Sequence, residues 1–273
     1  MPSLTLSPDL TLNYLDINPR GTQTVLLLHG LGATGGSWEL QIPSLVESGY
    51  RVLAPDLRGF GQSSYPGQTG IDEMARDAAA LLAAVADGPV DVVGISMGGA
   101  VALHLALDHA AAVRALVLVN TGACFRPRYL VGWLAHALRY AVLYMLTSQA
   151  QARLVARRTF PQPHQEDLRR ALAGQILQAN QYAYRASLRA LACFDVSSRL
   201  GEIRLPTLVV SGARDGTIPL AHQRLLAEKI PEARHAVLPE AGHGAIADCP
   251  EDFNRVLLDF IGTNQTVPAR FTL

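Results

Sequence analysis

The chain has 273 residues, 49% of them hydrophobic and 17% charged, which suits one large α/β domain and excludes a disordered chain. Lys plus Arg balance Asp plus Glu at 23 each, so no global field draws the protein to nucleic acid or an anionic membrane surface, and a small molecule is the expected partner. The three cysteines, Cys124, Cys193 and Cys249, have neither zinc-site nor disulfide-framework spacing, which points to a reducing, cytoplasmic setting.

The first ten residues lack the basic start and apolar run of a secretory signal and contain Pro2 and Pro8. Residues 4–6 and 11–17 read as short antiparallel strands. Short, largely apolar runs follow at 24–28, 51–54, 90–93, 113–119, 207–210 and 234–238. Continuous apolar strands of this length are buried on both faces, as in a parallel sheet covered by helices. Helices are predicted over 71–86, 97–109, 220–229 and 251–261, several with Pro at the start or Gly at the end. The alternation implies right-handed crossovers and an α/β fold with a mostly parallel central sheet flanked by helices. Residues 122–200 break the rhythm: they are helical, richer in Arg, and punctuated by Pro161 and Pro163. This segment reads as a helical lid over the carboxyl ends of the strands, with 1–121 and 201–273 as the core. Its most apolar stretch, 131–146, is interrupted by His136 and Arg139 and reads as a buried or pocket-lining helix, not a membrane span. The chain after Gly262 reads as a loose tail.

Four short motifs carry the chemistry. Gly94-Ile95-Ser96-Met97-Gly98 fits G-x-S-x-G and lies between an apolar strand and a helix. Such a turn lifts a serine hydroxyl above the sheet and aims the first amides of the helix at the same point. The glycines two before and two after Ser96 are expected to prevent collisions with neighbouring chain. Leu28-His29-Gly30-Leu31-Gly32 follows the first buried strand; the amides of Leu31 and Met97 are the expected oxyanion donors, and His29 is expected to bond to backbone. Asp215, in Gly212-Ala213-Arg214-Asp215, ends a strand and precedes His243, in Ala241-Gly242-His243-Gly244. The order Ser, Asp, His, with the histidine in a glycine-flanked loop, suits a nucleophile, an orienting acid and a general base. The competing position for the acid, after residues 113–119, holds Asn120, which is not a carboxylate. This chemistry needs no metal or organic cofactor.

With Asp56-Leu57-Arg58-Gly59-Phe60-Gly61-Gln62-Ser63 added to these motifs, the sequence resembles the α/β-hydrolase superfamily over nearly its whole length. The resemblance implies that the Asp56–Ser63 loop supports the active-site base, with Arg58 a structural ion-pair partner. It also implies kinship with small esterases, enol-lactone hydrolases and cofactor-free haloperoxidase-like members. Serine at position 96 argues against family branches that use a carboxylate nucleophile. The expected activity is hydrolysis of a small, apolar carboxylic ester or lactone. C–C bond hydrolysis of a β-diketone-like substrate, or a slow-turnover ligand-binding module, are the alternatives. Trp38, Phe125, Trp133, Tyr140 and Tyr144 are the candidate pocket aromatics, with plain core as their simpler reading, and Arg126 and Arg128 are the candidate carboxylate contacts, with solvated surface as theirs.

Overall fold

A computed structural model describes residues 1–126 and 147–263. Eight strands form one sheet in the order β1-β2-β4-β3-β5-β6-β7-β8. They are β1 (Ser3–Ser7), β2 (Leu10–Ile17), β3 (Gln23–Leu28), β4 (Tyr50–Pro55), β5 (Val90–Ile95), β6 (Val113–Val119), β7 (Thr207–Gly212) and β8 (Arg234–Leu238). β2 pairs antiparallel with β1 and β4, and every pairing from β4 to β8 is parallel.

The apolar runs are continuous because consecutive side chains enter opposite cores. Leu26 and Leu28 of β3 join one cluster, while Val25 and Leu27 join the other; Val92 and Val93 of β5 divide likewise. Helices α2 (Ile71–Val85), α3 (Met97–Asp108) and α7 (Leu220–Lys229) cover the first face. α1 (Ile42–Glu47) and α9 (Pro250–Thr263) cover the second. α2 buries Ile71, Met74, Ala75, Ala78, Leu81 and Leu82, one stripe at helical spacing, and carries Asp72 and Glu73 at its positive end. α3 buries residues around most of its circumference, as befits a helix packed on the sheet under other helices.

Between β6 and β7 lie α4 (Ser148–Thr159), α5 (Glu166–Gln178) and α6 (Gln181–Cys193). Thr147 caps α4 through the amide of Ala150, and Asn180 caps α6 through the amides of Tyr182 and Ala183. The segment leaves and rejoins the core at one point. Cys124 bridges Asp195, Phe125 N–H donates to the Phe194 carbonyl at 3.1 Å, and Val196 N–H to the Ala123 carbonyl at 2.8 Å.

Two helices escape sequence reading: α1, and α8 (Ala245–Asp248), are too short to display a period. The final helix runs past Gly262 to Thr263, further than the glycine suggests. No helix among the described residues is long and apolar enough to cross a membrane.

Candidate active site

The three loops that carry Ser96, Asp215 and His243 leave the carboxyl ends of parallel strands in one half of the sheet. Ser96 follows β5, Asp215 lies beyond β7, and His243 lies beyond β8. Ser96 is held at φ 53°, ψ −113°, a conformation that non-glycine residues rarely adopt. The turn is tight enough that a Cβ at Gly98 would run into the Leu28 carbonyl, and one at Gly94 into the Gly98 carbonyl. Side-chain-free positions are therefore required on both sides of the serine.

The three groups meet. His243 Nε2 lies 3.0 Å from Ser96 Oγ, and His243 Nδ1 lies 2.9 Å from Asp215 Oδ2. A carboxylate can only accept, so Nδ1 carries the proton and Nε2 presents its lone pair to the serine hydroxyl. The Asp215 side chain is fully buried and His243 is nearly so. Asp215 Oδ1 accepts the amides of Thr217 (2.7 Å) and Ile218 (2.9 Å), and Oδ2 also accepts Gln223 Nε2–H (3.1 Å). Four donors converge on this carboxylate, so its charge stays compensated away from water.

The loop that carries His243 is held on both sides of Gly242. Asp248 Oδ2 accepts the Gly242 N–H at 2.9 Å, while Asn120 Nδ2 donates to the carbonyls of Gly242 and His243, each at 2.8 Å. Burial pushes the Asp248 carboxyl above its ordinary range, and the Gly242 amide pulls it back in part.

The amide of Met97 is the first of α3 and has no intrahelical acceptor. Leu31, in the loop after β3, lines the same cavity as Ser96. His29 is wholly buried beside this loop. Its Nε2 accepts the Leu57 N–H at 3.0 Å, so Nδ1 donates to the Gly30 carbonyl at 2.8 Å. Burial holds its pKa below the ordinary value, in keeping with a neutral structural ring.

The Asp56–Ser63 loop braces this side of the site rather than the base. Asp56 accepts the amides of Gly35 (2.8 Å) and Gln62 (2.9 Å), and Arg58 grips Asp77 through two bonds of 2.6 and 2.7 Å, with Glu73 3.3 Å away. The residues that brace His243 are Asn120 and Asp248 instead. Burial outweighs the ion pair at Asp77, whose pKa is raised.

A cavity of about 630 Å³ opens over Ser96 and His243. Its lining is mostly apolar and includes Phe125, Val155, Phe160, Leu172, Tyr184 and Leu188. Phe125 is among the lining residues. Trp38 is not: it is fully buried on the second face, its ring 6.4 Å from that of Phe253, while its neighbours Ser37 and Glu39 reach the cavity. The short 3₁₀ turn Gly35–Trp38 points adjacent side chains in different directions, so proximity in sequence misleads here. Trp133, Tyr140, Tyr144 and Arg128 lie outside the described residues. Arg126 is at the cavity lining. Sequence reading missed Phe160, Tyr184 and His222 as lining residues, and no local signal marks them. Among the described residues no cluster of three or more His, Cys, Asp or Glu side chains could hold a metal ion.

The chain matches the model of the alpha/beta hydrolase fold family over residues 23–250. It is 33% identical to a protein of Variovorax paradoxus provisionally named carbamate hydrolase RutD, covering 92% of this chain and 96% of that one. It is 32% identical to the pimeloyl-[acyl-carrier protein] methyl ester esterase of Aeromonas hydrophila, over 87% and 95% of the two chains. It is 30% identical to the 2-hydroxy-6-oxo-6-phenylhexa-2,4-dienoate hydrolase of Burkholderia cepacia, over 94% and 98%. Among solved structures, the enol-lactonase of Burkholderia xenovorans superposes with a TM-score of 0.85 at 25% identity, covering 96% of this chain and all of that one.

Proposed function

The chain belongs to the alpha/beta hydrolase family, and within it we propose a serine hydrolase that cleaves a small, apolar carboxylic ester or lactone through an acyl-enzyme on Ser96. The observation that carries this reading is the continuous relay from Asp215 through His243 to Ser96, opening into a mostly apolar cavity.

Ser96 Oγ attacks the carbonyl carbon while its proton passes to His243 Nε2. Asp215 holds the ring in the tautomer that can receive that proton, then stabilises the imidazolium. The oxyanion that forms accepts from the amides of Leu31 and Met97; losing one such donor typically costs roughly a hundredfold or more in rate. Collapse expels the alkoxide, which takes the proton from Nε2. Water then attacks the acyl-enzyme with His243 as base, and the second collapse releases the acid and returns the proton to Ser96. In a lactone, acid and alcohol leave as one molecule.

We assign residues 122–200 as the lid, since α4, α5 and α6 supply much of the apolar lining over the serine. A lid of this kind excludes water and selects the substrate by shape. The B. cepacia relative is named as a hydrolase of 2-hydroxy-6-oxo-6-phenylhexa-2,4-dienoate, a compound with no ester or amide bond to cleave, which favours C–C hydrolysis as the second reading.

The test is turnover of short-chain p-nitrophenyl esters and simple lactones, with a fluorophosphonate label mapped by mass spectrometry. Ser96 is expected to carry the label, and Ser96→Ala to abolish turnover. A label absent from Ser96 would overturn the nucleophile assignment. Turnover confined to vinylogous diketones would move the substrate to the second reading. Tight ligand binding with negligible turnover would make the protein a binding module.

A further inference from the structure

The tip of β6 contributes no reacting group, yet it touches all three loops that do. Val119 accepts the Ser96 N–H through its carbonyl at 2.9 Å, and Thr121 Oγ1 donates to the Ser96 carbonyl at 2.8 Å. Between them, Asn120 is fully buried with φ 44°. Its backbone N–H donates to the Val210 carbonyl at 3.0 Å. Its side-chain Oδ1 accepts the Gly212 N–H at 2.7 Å, three residues before Asp215. Its Nδ2 spends both protons on the carbonyls of Gly242 and His243. One carboxamide thus ties the root of the acid loop to the base loop. The two loops pass so closely that a Cβ at Gly212 would collide with the carbonyls of Ala241 and Gly242.

The donor and acceptor demands at this position are specific. Gly212 offers a hydrogen, whereas Gly242 and His243 offer only oxygen atoms. A carboxamide meets all three at once; a carboxylate would satisfy Gly212 but face two carbonyl oxygens with no hydrogen to give. The left-handed backbone, which asparagine tolerates better than most residues, turns Asn120 toward the acid and base loops while Thr121 turns toward the serine.

We propose that Asn120 is a positioning residue that sets the register of the base loop against the acid loop, and so the His243–Ser96 distance, without contacting substrate. This rests on the reading of Ser96, His243 and Asp215 as the reacting triad. Asn120 does not line the cavity, so its loss acts on proton transfer and leaves substrate binding alone.

Two variants separate positioning from folding. Asn120→Gly removes the bridge and relieves the left-handed strain, which offsets part of the cost of leaving the Gly212 N–H and the Gly242 and His243 carbonyls without this partner. Asn120→Asp keeps the shape and places a carboxyl opposite two carbonyls, a setting that raises its pKa. On a p-nitrophenyl ester, Asn120→Gly is expected to lower kcat by roughly ten- to a hundredfold, with KM within about threefold of the parent. For Asn120→Asp the deficit in kcat should shrink as pH falls from 8 to 6, because the protonated carboxyl regains one donor. A merely structural role predicts neither the split between kcat and KM nor the pH-dependent ratio to the parent. Should Asn120→Gly fold with an unchanged near-ultraviolet dichroism spectrum and keep kcat within threefold, the proposal is overturned. Should Asn120→Gly fail to fold, the pH-dependent ratio of Asn120→Asp decides alone, and a flat ratio overturns it. Labelling by fluorophosphonate distinguishes the two levels. Slower labelling of Ser96 in the variants supports the proposal, and equal rates refute it while leaving the triad intact. No labelling of Ser96 in the parent removes the triad reading itself.

Discussion

Replacing Asp215 by Asn probes the relay most sharply, because the surrounding donors dictate how the amide must sit. Asp215 Oδ1 receives two backbone amides, from Thr217 and Ile218. An NH₂ group at that site would confront both hydrogens, so the amide oxygen occupies it. The Asn NH₂ is then forced into the position of Oδ2, facing His243 Nδ1 and Gln223 Nε2. There it donates to Nδ1 and drives the ring proton to Nε2, the atom that faces Ser96 Oγ. The base then has no lone pair for the serine proton. Mispairing of this kind lowers kcat by about 10⁴-fold in a comparable triad, equivalent to about 5.5 kcal/mol in the barrier. Gln223, whose Oε1 has no partner among the described residues, cannot relieve the clash by flipping without turning that oxygen on the Ile218 carbonyl. A stability loss of about 1–3 kcal/mol should accompany the catalytic loss. The assay is kcat on a short p-nitrophenyl ester across pH 6–9, with urea unfolding as control. A folded Asp215→Asn protein within tenfold of the parent kcat would refute the tautomer argument.

Three further outcomes are expected. Gly98→Ala presses a methyl group onto the Leu28 and His29 carbonyls, so urea titration should report a loss of about 1–3 kcal/mol together with reduced esterase turnover. Phe160→Ala, which removes the ring packed against Gly244 in the cavity wall, should raise kcat/KM for longer acyl chains relative to acetyl, read from a p-nitrophenyl ester series. The last concerns Asp91, buried beside Arg114, whose pKa desolvation raises from 3.8 to about 6. The folded state therefore holds this proton where the unfolded chain has released it, so the contribution of Asp91 to stability grows as pH falls through 6 toward 4 and is lost as pH rises again. Between pH 7 and 4 the stability difference between the parent and Asp91→Asn should move in favour of the parent by about 2–3 kcal/mol, as measured by urea unfolding. His29 drives the parent the opposite way below pH 6.5, but it is common to both proteins and cancels in the difference.

The sheet was legible because each buried strand announces itself locally: β3, β5, β6 and β7 are short apolar runs ending at a polar or glycine turn. Ser96, Asp215 and His243 were legible for a related reason. Each stands at the end of such a run, and parallel strands deliver their carboxyl ends to one edge. The cavity wall was not legible. Phe160 and Tyr184 look like any aromatic of a helical segment, and only the folding of α4–α6 over the strand ends makes them lining residues. Trp38 shows the converse error, an aromatic beside a glycine-rich loop that belongs to the core.

The sequence by itself determined the layered architecture and which residues stand at the carboxyl ends of the strands, since both follow from patterns spanning a few neighbouring residues. Only tertiary structure decided what holds those residues in register. The Asn120 bridges span 122 and 123 positions of chain to Gly242 and His243, and 92 to Gly212. Hydrogen bonds across such separations leave no periodicity behind; they come into being only when strands far apart in the chain lie side by side.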